Sequence, residues 1–359
     1  MTKHFLTATI PLAATILGLS LGFSAAFAQQ AGDNAVIDRH MAAAAKAAKT
    51  DLLGPLALCK TATEDPAPGF KDVYEKMSKE PPLEPMQVMD DLYFVGNAWT
   101  SSWAVKTSDG IVLIDTLDNP DEAKQYIEGG FKKLKLDPTD IKYIIVSNSN
   151  PDHYGGATHL KTRYRAKIVM SDVEWTAMED PKFEAPKEPP FADPPKRDMA
   201  IKDGDEIKVG KTVFTLYVIP SRTLGTLATV FTVHDHGQTH RAVLWGGTGY
   251  NFGPLPDRLE LYADTTVKYR DILKKEKADV LLSNHVGYDA TVAKIAALKE
   301  RKPKDANPFV VGEDSIDRFL TVLGECALAT KAYVDAGQPG KEPAKEMPAK
   351  DEPAAPEKK

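Results

Sequence analysis

The chain has 359 residues, of which 42% are hydrophobic and 27% charged, so its composition allows one large globular domain or two smaller ones. The formal net charge of −6 gives no reason to expect a nucleic acid as partner. A small molecule is the expected ligand, and a homodimer is left open.

The first 28 residues have the pattern of a secretion signal. Lys3 precedes a long apolar stretch from Phe5 to Phe23, and Ala26-Phe27-Ala28 then fits a small-x-small cleavage site. A membrane anchor is the alternative, but Ala, Gly, Ser and Thr dilute the apolar stretch and the cleavage site follows at once. We therefore expect a periplasmic or secreted protein that begins at Gln29 and keeps no stable membrane anchor.

Residues 29–85 are expected to precede the domain proper. An Ala-rich stretch at 34–49 has helical propensity, and the polar, Pro-rich residues 62–85 predict an extended segment. The domain itself is expected at 86–336. Residues 337–359 combine Lys, Glu, Pro and Ala without apolar periodicity, which predicts a disordered tail.

The chain contains two cysteines, Cys59 and Cys326. An exported protein meets an oxidising compartment, so a disulfide between them is one interpretation. Two buried free thiols are the other. A metal site built on cysteine is not expected, because neither cysteine has a second ligand nearby in the sequence.

Apolar periodicity divides the domain into two similar halves. In the first half, strand-like runs lie at 92–95, 103–106, 111–114, 143–146 and 166–170, with helical patterns at 121–134 and from Gly156. Six prolines in 181–195 exclude a helix or a central strand and predict an ordered loop or lid. The second half has strand-like runs at 206–209, 212–218, 228–233, 242–244 and 280–282, and helices at 259–275, 290–301 and 315–336. This order predicts an α/β fold of two packed sheets with helices on both outer faces.

The polar turn after the run 143–146 is the most informative motif. Residues 147–153 read Ser-Asn-Ser-Asn-Pro-Asp-His, and Tyr154-Gly155-Gly156 then opens a helix. A strand, a polar turn and a glycine pair before a helix are a usual mounting for a metal or catalytic site.

Five segments over Met86–Ala336 resemble the metallo-β-lactamase superfamily in order and spacing. They are Gly110–Thr116, a strand that ends in Asp-Thr; the 147–156 turn, similar to His-x-His-x-Asp-His with two histidines replaced; Ile219–Gly225, similar to Thr-Pro-Gly-His-Thr-x-Gly; Leu244–Thr248, where the superfamily often reads Phe-x-Gly-Asp; and the strand that ends at His285. The resemblance implies a metallo-β-lactamase αβ/βα sandwich. The closing part, 307–327, looks most like the lactamase subclass that uses no cysteine ligand.

The resemblance implies that one of the family's two zinc sites has been lost. The first site needs three histidines, and those positions hold Asn148, Asn150 and Arg222. A guanidinium stays protonated and cannot ligate a metal, so Arg222 is expected to place a positive charge where the first zinc would lie. The position of the bridging carboxylate is Gly247.

The second zinc site keeps its full ligand set. In the no-cysteine subclass this site needs Asp, His and His, which Asp152, His153 and His285 supply. Three N/O ligands with an open position are the usual form of a catalytic zinc site. Asn251, in the loop that faces the site in this fold, could add its amide oxygen, although an asparagine between glycines is also common in turns. An Asp-His-Asn-His site with one zinc ion resembles that of chlorothalonil hydrolytic dehalogenases.

The resemblance thus implies an exported hydrolase with one catalytic zinc ion. Zinc would lower the pKa of its bound water from about 15.7 toward 7 and so supply a hydroxide. This hydroxide would attack an electron-poor carbon, and the preferred substrate is a chlorinated aromatic such as chlorothalonil. Asn148, Asn150 and Arg222 would stabilise the developing charge. The expected walls for an apolar ring are Trp99, Trp103, Trp245 and Phe252. The alternatives are a β-lactam or lactone hydrolase, and a non-catalytic periplasmic binding protein on a decayed fold.

Overall fold

The computed structural model describes residues 17–62, 79–186, 190–250 and 252–337, with the backbone alone for 17–31 and 61–62. The proposed ligand Asn251, much of the predicted extended segment and the tail beyond Gly337 lie outside these ranges. Among the described helices, none is both long and apolar enough to span a membrane. Signal cleavage after Ala28 stays a prediction.

Within the described ranges, seven strands form the first sheet, in chain order from one edge to the other. They are β1 Met86–Gln87, β2 Leu92–Phe94, β3 Trp103–Thr107, β4 Gly110–Ile114, β5 Ile141–Ile145, β6 Lys167–Ser171 and β7 Met199–Ile201. Strands β1 to β4 pair antiparallel, and β4 to β7 pair parallel. The parallel half requires crossover connections, so helices follow β4, β5 and β6.

Five strands form the second sheet, in the order β12-β11-β10-β9-β8. They are β8 Asp205–Val209, β9 Thr212–Val218, β10 Leu227–Asp235, β11 Gln238–Trp245 and β12 Val280–Ser283. Strands β8 to β11 pair antiparallel, and β12 pairs parallel with β11. His236 and Gly237, both with positive φ, connect β10 to β11 as the tight turn that such a hairpin favours.

Nine helical segments flank the sheets in the described ranges. They are α1 Leu17–Ala48, α2 Leu53–Leu56 with a 3-10 extension Ala57–Ala62, α3 in three continuous parts Pro120–Glu122, Ala123–Glu128 and Gly129–Leu134, α4 Pro151–Tyr154, α5 Ala157–Tyr164, α6 Asp172–Glu179, α7 Pro256–Lys275, α8 Thr291–Lys299 and α9 Glu313–Asp335. A short 3-10 turn, Pro138–Asp140, precedes β5.

The core has three layers, because side chains alternate between the two faces of each strand. Trp103 and Val105 of β3 face the second sheet, whereas Ala104 between them packs with the helices α3, α5 and α6. A third cluster lies between the second sheet and the helices α1, α7 and α9. Both sheets are therefore covered on both faces, and the predicted αβ/βα sandwich is confirmed.

The N-terminal helix is part of this layered structure. Ala44 and Ala48 of α1 are fully buried in the cluster that also contains α9. The 3-10 extension after α2 is joined to α9 by a disulfide between Cys59 and Cys326. Of the two interpretations of the cysteines, the structure therefore shows the disulfide, which connects residues 267 positions apart.

Candidate metal centre and active site

Three predicted ligands converge where the two sheets end. Asp152 and His153 lie on α4, directly after β5 of the first sheet, and His285 follows β12 of the second sheet. Oδ2 of Asp152 lies 3.5 Å from Nε2 of His285, and Oδ1 of Asp152 lies 3.6 Å from Nε2 of His153. One ligand atom from each residue lies within 4.8 Å of the other two, and among the described residues only this group of His, Cys, Asp and Glu side chains does so.

The chemistry of these residues and the contacts behind them fit a zinc ion. Nδ1 of His153 lies 3.0 Å from Oδ2 of Asp115, and Nδ1 of His285 lies 3.3 Å from the carbonyl oxygen of Trp99. A carboxylate or a carbonyl behind the outer nitrogen is the usual arrangement for metal-ligating histidines, because it fixes the ring and directs Nε2 inward. The Asn284 amide nitrogen lies 3.1 Å from Nε2 of His153, so metal binding there requires this contact to lengthen.

The glycine pair after His153 allows α4 to approach the loop after β4. A Cβ on Gly155 would lie 1.9 Å from the carbonyl oxygen of Asp118, and one on Gly156 would lie 2.6 Å from that of Thr116. Two non-glycine residues of this loop, Asp115 and Leu117, have φ of 61° and 64°. Such φ values are uncommon outside glycine and concentrate at functional sites. The loop therefore combines close packing with a strained backbone directly behind His153.

The charges of the three ligands suit metal binding. Burial would raise the pKa of Asp152, but electrostatic interactions with His153, His285 and Arg222 outweigh burial and lower this pKa. Burial lowers the pKa of His285 to about 3, so this ring is neutral at physiological pH. Burial also opposes protonation of His153, but the carboxylates of Asp152 and Asp115 raise its pKa overall. A metal ion must therefore compete with a proton at His153 and not at His285.

Arg222 lies near Asp152 of the ligand triad. With the Asn150 amide oriented to satisfy its neighbours, the amide oxygen accepts hydrogen bonds from Nη2 and Nε of Arg222 at 2.7 and 2.6 Å. The guanidinium is close enough to lower the pKa of Asp152. Two of the three residues at the histidine positions thus contact each other directly. Their part in catalysis stays a prediction.

Asn148 has a different role from the one expected. Its side chain is fully buried; Nδ2 donates to the carbonyl of Gly246 at 2.8 Å and lies 3.3 Å from Oγ of Ser147. Its oxygen accepts the backbone N–H of Asn150 at 3.0 Å. Because its donors and its acceptor are engaged within the protein, Asn148 holds the turn in shape, and the expectation that it stabilises charge on a substrate is corrected.

The four aromatic residues proposed as ring-binding walls are separated by the fold. Trp103 and Trp245 are fully buried, the first between the sheets and the second under α7, so neither provides a wall for a ligand and this expectation is wrong. Trp99 remains partly exposed, and its ring centroid lies 4.7 Å from that of His285. Phe252 is also partly exposed and packs under the guanidinium of Arg258 at 4.9 Å.

Glu174 of α6 supports the site and was not identified from the sequence. Its buried carboxylate accepts hydrogen bonds from the backbone N–H of Ser149 at 2.9 Å and of Gly225 at 2.8 Å, and from the hydroxyl of Thr223. One side chain therefore joins the turn that carries Asn150 to the loop that carries Arg222. Burial raises its pKa, which these hydrogen bonds offset only in part.

Two further carboxylates lie close to Asp152. Asp118 is buried, and burial, with the charges of Glu122 and Asp152, raises its pKa well above its ordinary value. Burial also raises the pKa of Glu122, against a hydrogen bond from the backbone of Asp118 and one from Asn97. This acidic pair was likewise not identified from the sequence.

Comparisons with known proteins agree with this geometry. A family model described as the metallo-beta-lactamase superfamily matches residues 100–238. BJP-1, a subclass B3 metallo-β-lactamase of Bradyrhizobium japonicum, is 27% identical with a TM-score of 0.59, over 68% of this chain and 92% of its own. Residues 100–238 therefore match the metallo-β-lactamase superfamily, and the chain shares the fold of the solved metallo-β-lactamases. Within that family, the structure supports a metal-dependent hydrolase.

Two other solved structures show the same fold at lower identity. The Y228A mutant of FEZ-1 from Legionella gormanii is 22% identical with a TM-score of 0.58, over 68% of this chain and 94% of its own. LRA-12 from an Alaskan soil metagenome, named a class B3 di-zinc enzyme, is 19% identical with a TM-score of 0.52, over 67% of this chain and 90% of its own.

Proposed function

We propose that this metallo-β-lactamase family member is an exported hydrolase that uses a single zinc ion to attack an electron-poor carbon. The observation that carries the proposal is that one zinc-ligand set is complete, whereas the histidines of the other are replaced. Asp152, His153 and His285 lie together with suitable contacts behind both rings. Arg222 and Asn150 are hydrogen-bonded to each other beside them, where a second ion would need histidines.

In the proposed mechanism, one group of residues binds the zinc ion that supplies the nucleophile, and another group stabilises the developing charge. Zinc held by Asp152, His153 and His285 would lower the pKa of a water ligand and supply a nucleophile near neutral pH. Arg222 provides a permanent positive charge next to the reacting carbon, and Asn150 keeps the guanidinium oriented through two hydrogen bonds. Asn251 remains a proposed fourth ligand.

The proposed reaction is hydrolytic dehalogenation of a chlorinated aromatic. A chloride leaves without accepting a proton, which suits a site with one metal ion and a guanidinium in place of the second. Electron-withdrawing ring substituents accept the charge that the attack creates. Trp99 supports the proposal, because its partly exposed ring lies against His285, whereas Trp103 and Trp245 are buried and give no support.

A second candidate is hydrolysis of a β-lactam. The three similar solved structures are named metallo-β-lactamases, two of them of class B3, which favours this reaction. The loss of the histidine set speaks against it, because a lactam nitrogen must be stabilised as it leaves.

Metal content and substrate are tested separately. Purified protein loaded with zinc should hold one catalytic ion per chain by elemental analysis; no ion, or two ions in this pocket, would contradict the proposal. The loaded protein is then incubated with chlorothalonil and with a cephalosporin, following chloride release and ring opening. Ring opening without chloride release would establish the second candidate, and turnover of neither would favour a binding protein.

A further inference from the structure

A cleft of 520 Å³ lies beside the metal-binding triad and is not used in the reaction proposed above. Trp99 forms part of its wall. The same residue packs its ring against that of His285 at a tilt, and its carbonyl oxygen lies 3.3 Å from Nδ1 of that histidine. A ligand in the cleft would therefore contact a residue that touches the active site.

The lining of the cleft is acidic. Four carboxylates, from Glu80, Asp118, Asp121 and Glu122, line it, and no Lys or Arg does so among the residues that the structure describes there. Within the described part of the chain, Asp121 alone of these four forms an ion pair, with Lys124 at 2.9 Å, and its side chain is exposed to solvent. The inner carboxylates, Asp118 and Glu122, have no such neutralising partner among the residues that the structure describes.

Asp118 provides an independent sign that a donor belongs in the cleft. Its side chain is only 1% exposed, and Oδ1 has no hydrogen-bond partner. Glu122 beside it is partly satisfied, because Oε2 accepts from Nδ2 of Asn97 at 3.2 Å and from the backbone of Asp118 at 3.4 Å. A buried carboxylate oxygen without a donor is unfavourable, and a cationic N–H donor is the group that satisfies it best.

Aromatic rings indicate what kind of cation fits. Trp99, Tyr126 and Phe191 line the same cleft as the carboxylates. Aromatic faces attract organic ammonium groups and accommodate an attached apolar body, whereas they offer no ligand to a metal ion. In addition, among the described residues no third His, Cys, Asp or Glu side chain lies close enough to Asp118 and Glu122 to complete a metal site.

We propose that this cleft binds the primary ammonium group of an organic cation, held by Asp118 and Glu122 and flanked by Trp99 and Tyr126. The proposal adds a binding site to the proposed function, and its test needs no turnover, so either can fail without the other.

The test is calorimetric titration of the zinc-loaded full chain with two probes of similar shape, benzylammonium and benzyl alcohol. Benzylammonium should bind at least 10-fold more tightly. Asp118→Asn and Glu122→Gln, which keep the shape of each side chain, should each weaken benzylammonium binding by 10-fold or more and leave benzyl alcohol unaffected. Glu300→Gln removes one negative charge from an exposed position outside the cleft and should leave both affinities unchanged.

Three outcomes would overturn the proposal. Equal binding of the two probes would show that charge is not recognised. An equal weakening by Glu300→Gln would show that only the net charge of the protein matters. Stoichiometric Ca²⁺ binding that is lost in Asp118→Asn would make the cleft a metal site. Thermal denaturation of each variant shows that it is folded, and Glu122→Gln carries the test should Asp118→Asn fail to fold.

Discussion

Glu174→Gln should damage the active site without removing the metal. The Glu174 carboxylate joins the turn of Asn150 to the loop of Arg222, since it accepts from Ser149 on one side and from Gly225 and Thr223 on the other. The substitution keeps the shape of the side chain. It leaves one acceptor oxygen where two had been, so at least one buried N–H faces an amide NH₂ group.

The expected loss of stability follows from the buried N–H group that the substitution leaves without an acceptor. A buried donor left without an acceptor costs about 1–3 kcal/mol. Part of this cost is offset by the substitution itself. Burial disfavours the charged form of Glu174 and raises its pKa, whereas the neutral amide of Gln carries no such desolvation cost. A net loss of about 1–2 kcal/mol remains, which corresponds to a decrease in Tm of about 2–8 °C for a domain of this size.

The raised pKa of Glu174 determines how its contribution to the free energy of unfolding changes with pH. Because the pKa of Glu174 is raised above its ordinary value, the folded state binds this proton more tightly than the unfolded chain does. The contribution of Glu174 to stability is therefore largest at acid pH and falls as pH rises through its folded pKa. The decrease in Tm caused by Glu174→Gln should be larger near about pH 5 than near about pH 8.

Thermal denaturation, elemental analysis and steady-state kinetics together form the assay. Zinc content should be unchanged, while kcat falls about 10- to 100-fold as the guanidinium of Arg222 shifts. Glu179→Gln is the matched control, because Glu179 lies on the same helix but is exposed and pairs with Arg197. Equal Tm and kcat in Glu174→Gln and the wild type would refute this reasoning, and loss of zinc would assign Glu174 to metal retention instead.

Three further predictions concern the metal, the guanidinium and the disulfide. Asp152→Ala or His285→Ala should abolish stoichiometric zinc in elemental analysis, because two protein ligands remain. Arg222→Gln should lower turnover by about 10- to 100-fold with unchanged zinc content, on the scale of one lost transition-state donor; unchanged kinetics would make Arg222 structural. Replacing Cys59 and Cys326 by Ser should lower the free energy of unfolding by about 3–5 kcal/mol in denaturant titrations, since the closed loop is long; no change would contradict the pairing.

The fold was accessible from the sequence because its signals are local. Apolar runs of strand length marked most strands, and the order of five motifs specified the sandwich. The metal triad was accessible for a related reason: Asp152 and His153 are adjacent in a recognisable turn, and His285 ends a recognisable strand. The structure brings these three together within 4.8 Å.

The missed residues depend on tertiary contacts. Helix α6 was not recognised, although Ser171 caps it by accepting the backbone N–H of Glu174. Nothing in the sequence pairs Glu174 with Ser149 or with Gly225, which lie 25 and 51 positions away. The prediction that Trp103 and Trp245 line the binding site was wrong for a different reason. A residue near a strand end can face the site or the core, and only the parity of the strand in the folded sheet places Trp103 in the core.

The replaced histidine positions form a connected arrangement rather than a set of unrelated losses. Asn150 accepts from Arg222, Asn148 fixes the backbone of Asn150, and Glu174 holds both segments from behind. In a chain that had merely lost its metal, the new side chains would have no reason to satisfy one another in a buried site. Instead, a positive charge stands next to the buried carboxylate of Asp152 and lowers its pKa. The arrangement supports the proposed site with one metal ion, in which a fixed cation would take the place of the second ion while the remaining ligand set is complete.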